Sequence, residues 1–220
     1  MLFRSQNKNL LDYTYPAVSL IEGKLFIKIL RNIFADKRIE DTRIEYFCVS
    51  ANLTKAMQVV HRRGELWKYI RASSALPPVF PPVTYEGDLL VDGVLVNNLP
   101  LEVMQKICEG STIIGVDVSS EEDMQENYEF EPTLSGWQVL RKKLSPRQTK
   151  TKHPGIMSLI MRINEFSSVR QKHRQYDVTN YIIRPDVEGI GVFQFDDIER
   201  IIELGYQAGK QALENWLDQL

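Results

Sequence analysis

Asp92 is the residue of this chain best placed to do chemistry. It stands between two apolar runs, Leu89-Leu90-Val91 and Val94-Leu95-Val96, and Gly93 follows it directly. A carboxylate between apolar strands must pair, hydrogen-bond or work, because an unpaired buried charge is too costly to keep. At its unperturbed pKa of about 4 a carboxylate is a weak base for a hydroxyl. Burial raises that value, and a short hydrogen bond to a nucleophile makes proton transfer feasible. The plainer reading of Asp92-Gly93 is a two-residue hairpin loop. On residue type alone the plainer reading comes first.

Other candidates are weaker. His61, His153 and His173 are scattered without metal-ligand spacing, and surface or core roles are expected of them. Asp117 closes the run Thr112-Ile113-Ile114-Gly115-Val116, at the strand end where ligands of open α/β sheets gather. A capping or hydrogen-bonding role is the stronger expectation for it. None of the thirteen serines lies in a G-x-S-x-G turn, and Ser73 and Ser74, beside a proline cluster, are expected to be structural or site-lining. Cys48 and Cys108 are far apart and read as buried free thiols of a reducing compartment. No metal and no cofactor is expected.

The elements around Asp92 can be read from pattern. Asp12 to Ile33 is apolar with mixed helical spacing. Short strands are expected at Glu45–Val49 and Ala56–Val60, the second ending at an Arg63-Gly64 turn, and a short helix over Glu65–Ala72. Pro77-Pro78-Val79-Phe80-Pro81-Pro82 suits neither a helix nor a central strand and must be a rigid loop. Glu86-Gly87 turns the chain into the strand that carries Asp92. Pro100 suits the first turn of a helix running to Gly110, with Asn98 as a cap. The apolar run over 112–118 has the look of a buried parallel strand. Strand, helix and strand in that order argue for a βαβ unit and a parallel sheet.

Beyond Ser119 the texture changes. Six acidic residues and no basic ones lie between Glu121 and Glu131, and six basic ones without an acid between Arg141 and Lys152, so an excursion from the core is expected over about 119–155. It contains a helix near Leu134–Leu144 and a linker at Ser145–Pro154. The basic run with Trp137 is read first as solvated charge, and second as a surface for anionic lipid. A helix over Ile156–Tyr176 and a strand at Asn180–Ile183 return to the core. The last helix starts at Asp196, with Glu199 placed as in a capping box.

With 220 residues the chain can build one good-sized α/β core. A net charge of −2 gives no general attraction to nucleic acid, and none is expected as a partner. No apolar run approaches the roughly 20 residues that cross a bilayer, and the start of the chain lacks a signal-peptide core. A cytoplasmic protein, at most peripheral to a membrane, is the expectation.

Several separated motifs stand in one order: Ile39-Glu40-Asp41, Trp67-Lys68-Tyr69-Ile70-Arg71-Ala72-Ser73-Ser74-Ala75-Leu76-Pro77, Val79-Phe80-Pro81-Pro82, Leu90-Val91-Asp92-Gly93, Asn97-Asn98-Leu99-Pro100, Ile114-Gly115-Val116-Asp117-Val118 and Leu134-Ser135-Gly136-Trp137. Together they resemble the second half of a patatin-like phospholipase domain, most of all its neuropathy target esterase branch, from about Leu11 to Trp216. The resemblance implies a three-layer α/β/α fold, incomplete here at its amino-terminal side. The core would span about 11–118 and 156–216 of one partial domain over 1–220. It also implies hydrolysis of acyl esters of phospholipids or lysophospholipids by a serine–aspartate dyad. Asp92 matches the general base of that dyad. The serine elbow and glycine-rich oxyanion loop would lie before Met1, so the chain is expected to be inactive alone. The alternatives are half of a split enzyme that needs an amino-terminal partner chain, and a non-catalytic lipid-binding remnant. Val94 and Pro78 depart from the family, which usually has a small residue after Asp-Gly and a glycine at the second position.

Overall fold

A computed structural model describes residues 12–119, 135, 159, 181–187, 190 and 197–218. The calls on the charged excursion, on helices over 134–144 and 156–176, and on His153 and His173 therefore lie outside the described residues. The remainder is a mixed α/β structure.

Its centre is a four-stranded antiparallel sheet in the order β2-β1-β4-β3, where β1 is Cys48–Asn52, β2 Met57–His61, β3 Val83–Tyr85 and β4 Asp88–Asp92. Strand β1 is buried along its whole length, as a central strand covered on both faces must be. β3 and β4 are joined by Glu86 and Gly87, both with positive φ (51° and 84°), the backbone of a tight two-residue hairpin. The Glu86-Gly87 turn is thus where the sequence puts it.

Helix α2, Leu66–Ser73, packs on β1 and β4, and α1, Lys24–Phe34, packs on α2. Ile39, Cys48, Leu66 and Tyr69 form the buried cluster between helix and sheet. The apolar stretch from Asp12 becomes helical only at Lys24, because Pro16 and Gly23 (φ 81°) break what precedes it. Residues 12–21 instead form a loop closed by a Tyr13–Ile21 bridge. At its base the Asp12 carboxylate accepts from the amides of Gly23 (2.9 Å) and Leu25 (3.2 Å), satisfying donors that the helix start leaves open. The proline segment is a loop, hydrogen-bonded to that first loop from Leu20 and Ile21 to the carbonyls of Pro78 and Val79.

Two expectations need correction. Strand β5, Ile114–Val116, is parallel as expected, but it pairs with β6, Tyr181–Ile183, and not with β4. β4, α3 (Leu101–Ile107) and β5 therefore form no βαβ unit within one sheet. Local order alone does not say which distant strand a run will join. The caps differ as well. Pro100 occupies the cap position of α3 itself, with no side-chain cap. The last helix, α4 (Ile198–Leu217), begins after Asp197, whose carboxylate makes no cap hydrogen bond.

Candidate functional site

Asp92 closes β4 at the mouth of a groove of about 380 Å³ that Tyr46, Cys48, Ser73, Val94, Asn97 and Met104 help to line. Three local features hold it there. Its amide donates to the carbonyl of Ala75, just after α2 (3.0 Å), which ties the strand end to the helix end. Gly93 then passes so close to β1 that a Cβ on it would lie 2.5 Å from the carbonyl oxygen of Val49. Only glycine fits that approach. The chain next enters a single 3-10 turn, Gly93–Leu95, which brings the amide of Val94 back to Oδ1 of Asp92 (2.9 Å). Asp92-Gly93 is therefore no hairpin loop, and the plainer reading of the dipeptide fails.

The carboxylate accepts this one hydrogen bond among the described residues and no salt bridge. Burial pushes its pKa up to about 6, and the Val94 amide only partly opposes the rise. A carboxylate held near neutrality and facing a groove can accept a proton from a hydroxyl and return it to a leaving group.

The same sheet face carries a second polar pair that sequence reasoning missed. Ser50 lies directly opposite Asp92 across β1 and β4, and Cys48 directly opposite His61 across β1 and β2. Alternation puts all four side chains on the α2 side of the sheet. Oγ of Ser50 and Nε2 of His61 share a hydrogen bond of 2.7 Å, and the imidazole stacks on Tyr69 with centroids 4.2 Å apart. Burial lowers the His61 pKa to about 4, so the ring is neutral over the ordinary pH range. His61 is thus a core residue, as expected of it. Ser50 is fully buried, and no sequence signal pairs residues on separate strands.

Elsewhere the expectations divide. Ser73 lines the groove, while Ser74 donates back to the carbonyl of Ile70 (2.9 Å) and is structural. Asp117 is buried and accepts from the amide (3.0 Å) and hydroxyl (2.6 Å) of Ser119, a hydrogen-bonding role. Both cysteines are free. Cys48 is buried, its thiol raised to about 11 by burial against the opposing hydrogen bond with Tyr46, whereas Cys108 is only half-buried. Among the described residues no group of three metal-ligating side chains occurs, and no helix is long and apolar enough to cross a membrane.

The α/β fold thus places a raised carboxylate at a strand end, turned into a groove by a glycine that the Val49 carbonyl requires. The family profile of patatin-like phospholipases matches residues 2–104. The chain is 34% identical over 210 residues to patatin-like phospholipase domain-containing protein 6 of Mus musculus, covering 94% of the chain and 15% of that protein. It is 36% identical over 211 residues to neuropathy target esterase sws of Drosophila melanogaster (94% and 14%). With lysophospholipase NTE1 of Mycosarcoma maydis it shares 35% identity over 206 residues (93% and 11%). The chain belongs to the patatin-like phospholipase family, and these relatives are of its neuropathy target esterase branch. It spans about 15% of the length of the first of them.

Proposed function

We propose that this chain supplies the aspartate half of a serine esterase site that hydrolyses acyl esters of phospholipids or lysophospholipids. The observation that carries the reading is Asp92, the family's aspartate by motif, with its pKa raised to about 6 beside an open groove. A serine hydroxyl delivered to the groove attacks the ester carbonyl as Asp92 takes its proton. Asp92 then protonates the departing glycerol oxygen, leaving an acyl-serine that water hydrolyses by the same route. The developing oxyanion needs donors besides these. The 220 residues hold no G-x-S-x-G, and on this reading serine and oxyanion donors are supplied to the groove from outside them.

One further observation supports a partner segment, covalent or separate. Ile114 and Val116 on β5, and Val118 just beyond it, are 42%, 51% and 62% exposed, an apolar row of the kind that parallel sheets cover. The remnant reading has Val94 in its favour, a β-branched side chain in the groove beside Asp92.

The test is twofold. The 220-residue chain alone is expected to take no label from a serine-directed fluorophosphonate. Joined to a nucleophile-bearing segment of a relative, it is expected to hydrolyse a lysophospholipid, and Asp92→Asn to abolish turnover. Turnover that survives Asp92→Asn overturns the proposal.

A further inference from the structure

The loop of residues 12–21 turns its apolar side chains out instead of in. Tyr13, Tyr15, Pro16, Ala17, Val18 and Leu20 are all exposed, Tyr15 and Val18 to 85% and 69%. Ser19 is buried among them, its hydroxyl donating to the carbonyl of Ile21 (2.8 Å). Single exposed apolar residues are ordinary on a surface, but six on one short loop make a patch.

The loop is also fixed. Its arms are joined by the Tyr13–Ile21 bridge and by a bond from the Thr14 amide to the Leu20 carbonyl (3.0 Å). The amide of Ala17 closes the tip on the carbonyl of Tyr15 (2.8 Å). At the neck the amides of Leu20 and Ile21 donate to the carbonyls of Pro78 and Val79 (2.9 Å each), in the segment that follows Ala75. A tip held out by backbone bonds loses little conformational freedom when it enters an apolar medium.

Behind the tip the surface is cationic. Helix α1 starts at the neck and carries Lys24, Lys28 and Arg31 along one stripe, with no aspartate or glutamate. Like charges at this spacing, and a lysine in the first turn, both work against the helix. Nearby acids do not balance them. Glu22 pairs with Lys24, and the Asp12 carboxylate is occupied by the amides of Gly23 and Leu25. Arg31 lies over the ring of Trp67 (4.3 Å), and Lys28 has no ion pair among the described residues. Three residues per arm set the tip about 10 Å beyond the neck. An apolar tip with cations one step behind matches the order of acyl chains and head-group phosphates in a bilayer. A protein surface that covered the tip would have no use for the lysines behind it.

We infer that the loop of residues 12–21 is a seat on an anionic lipid bilayer, with Tyr15 and Val18 at the acyl boundary and Lys24 and Lys28 among the head groups. The seat does not depend on the reading of Asp92. The loop is joined through the proline segment to Ala75, whose carbonyl holds the Asp92 amide, so a chain seated this way brings the groove with it to the membrane.

Flotation of the 220-residue chain with vesicles tests this, using phosphatidylcholine alone or with about a third replaced by phosphatidylserine. The chain is expected to float with both and to partition roughly tenfold more into the anionic vesicles. Tyr15→Ser with Val18→Ser is expected to lower partitioning at least tenfold in both. Lys24→Gln with Lys28→Gln is expected to remove most of the anionic preference and to leave binding to neutral vesicles in place. Ile44→Ser, which removes an apolar side chain 80% exposed at an isolated position, is expected to change nothing. All these side chains are exposed, and unchanged urea midpoints show that the variants keep the fold. A chain that floats with neither vesicle overturns the seat, as does partitioning unmoved by the tip change or lowered as much by Ile44→Ser. An anionic preference that survives the lysine changes overturns the head-group role of α1. A tip change that spares flotation but abolishes pairing with a nucleophile-bearing segment gives the loop to that segment and removes the lipid seat.

Discussion

Asp92 and the Ser50–His61 pair occupy the same face of the same sheet, yet burial has opposite outcomes for them. Serine and imidazole satisfy each other at 2.7 Å, under the ring of Tyr69, and the pair has nothing left to offer a ligand. Asp92 has one amide and an open groove. A serine, a histidine and an aspartate on three adjacent strands invite a triad reading, and the geometry denies it. His61 serves a fully buried hydroxyl, and Ser50 has no exposed surface from which to attack anything. Residue type therefore ranks below unsatisfied valence in deciding which buried polar group works.

The comparison can be broken most forcefully at Gly93. A methyl group there meets the Val49 carbonyl, which is backbone and cannot swing aside. Gly93→Ala is expected to cost about 3 kcal/mol in urea denaturation, the range of overpacked sites. A loss below about 0.5 kcal/mol would show that the Asp92 corner is not built on that contact.

The pH dependence of stability separates the two regions next. The folded pKa of His61 lies near 4, below its unfolded value of 6.5, so its contribution is present above 6.5 and is lost as pH falls towards 4. Asp92 has a folded pKa near 6, above its unfolded 3.8, so its contribution is present below 3.8 and is lost as pH rises through 6. The slopes oppose each other, and the native chain is expected to be nearly flat between them. Asp92→Asn removes one of them. The variant is then expected to gain about 2 kcal/mol over the native chain at pH 7 and nothing at pH 3, after allowance for solvent screening. Chemical melts at the two pH values decide it, and an equal change at both would mean that burial does not strain the carboxylate.

Ser50→Ala should have the smaller effect. It removes one hydroxyl and leaves Nε2 of His61 without its partner, for a loss of about 1–2 kcal/mol in the same melts. The His61 pKa, followed by NMR, is expected to stay below 6.5, since burial rather than the hydroxyl sets it. A return to 6.5 would assign the shift to Ser50 instead.

Much of the Asp92 corner is legible in the sequence. The Glu86-Gly87 turn and the proline loop follow from local preferences that nothing distant overrides, whereas the hairpin preference of Asp92-Gly93 gives way to a 3-10 turn packed on Val49. What is hidden is what depends on contact across the sheet. Ser50 and His61 are eleven residues apart on different strands, and only the β1–β2 register brings them together. The need for glycine at 93 comes from Val49, a residue that no turn rule mentions. The pairing of β5 with β6 joins residues nearly seventy positions apart, from Ile114 to Tyr181, so the strand–helix–strand order around α3 misleads.

The bond from the Asp92 amide to the Ala75 carbonyl makes a listening post of one proton. Helix α2 and strand β4 cannot part without releasing it, so its exchange with deuterium clocks the separation of the two elements. A molecule that settles in the groove and clamps helix to strand slows that clock, whether or not any chemistry follows. One backbone amide thereby reports occupancy of the site without any measurement of turnover.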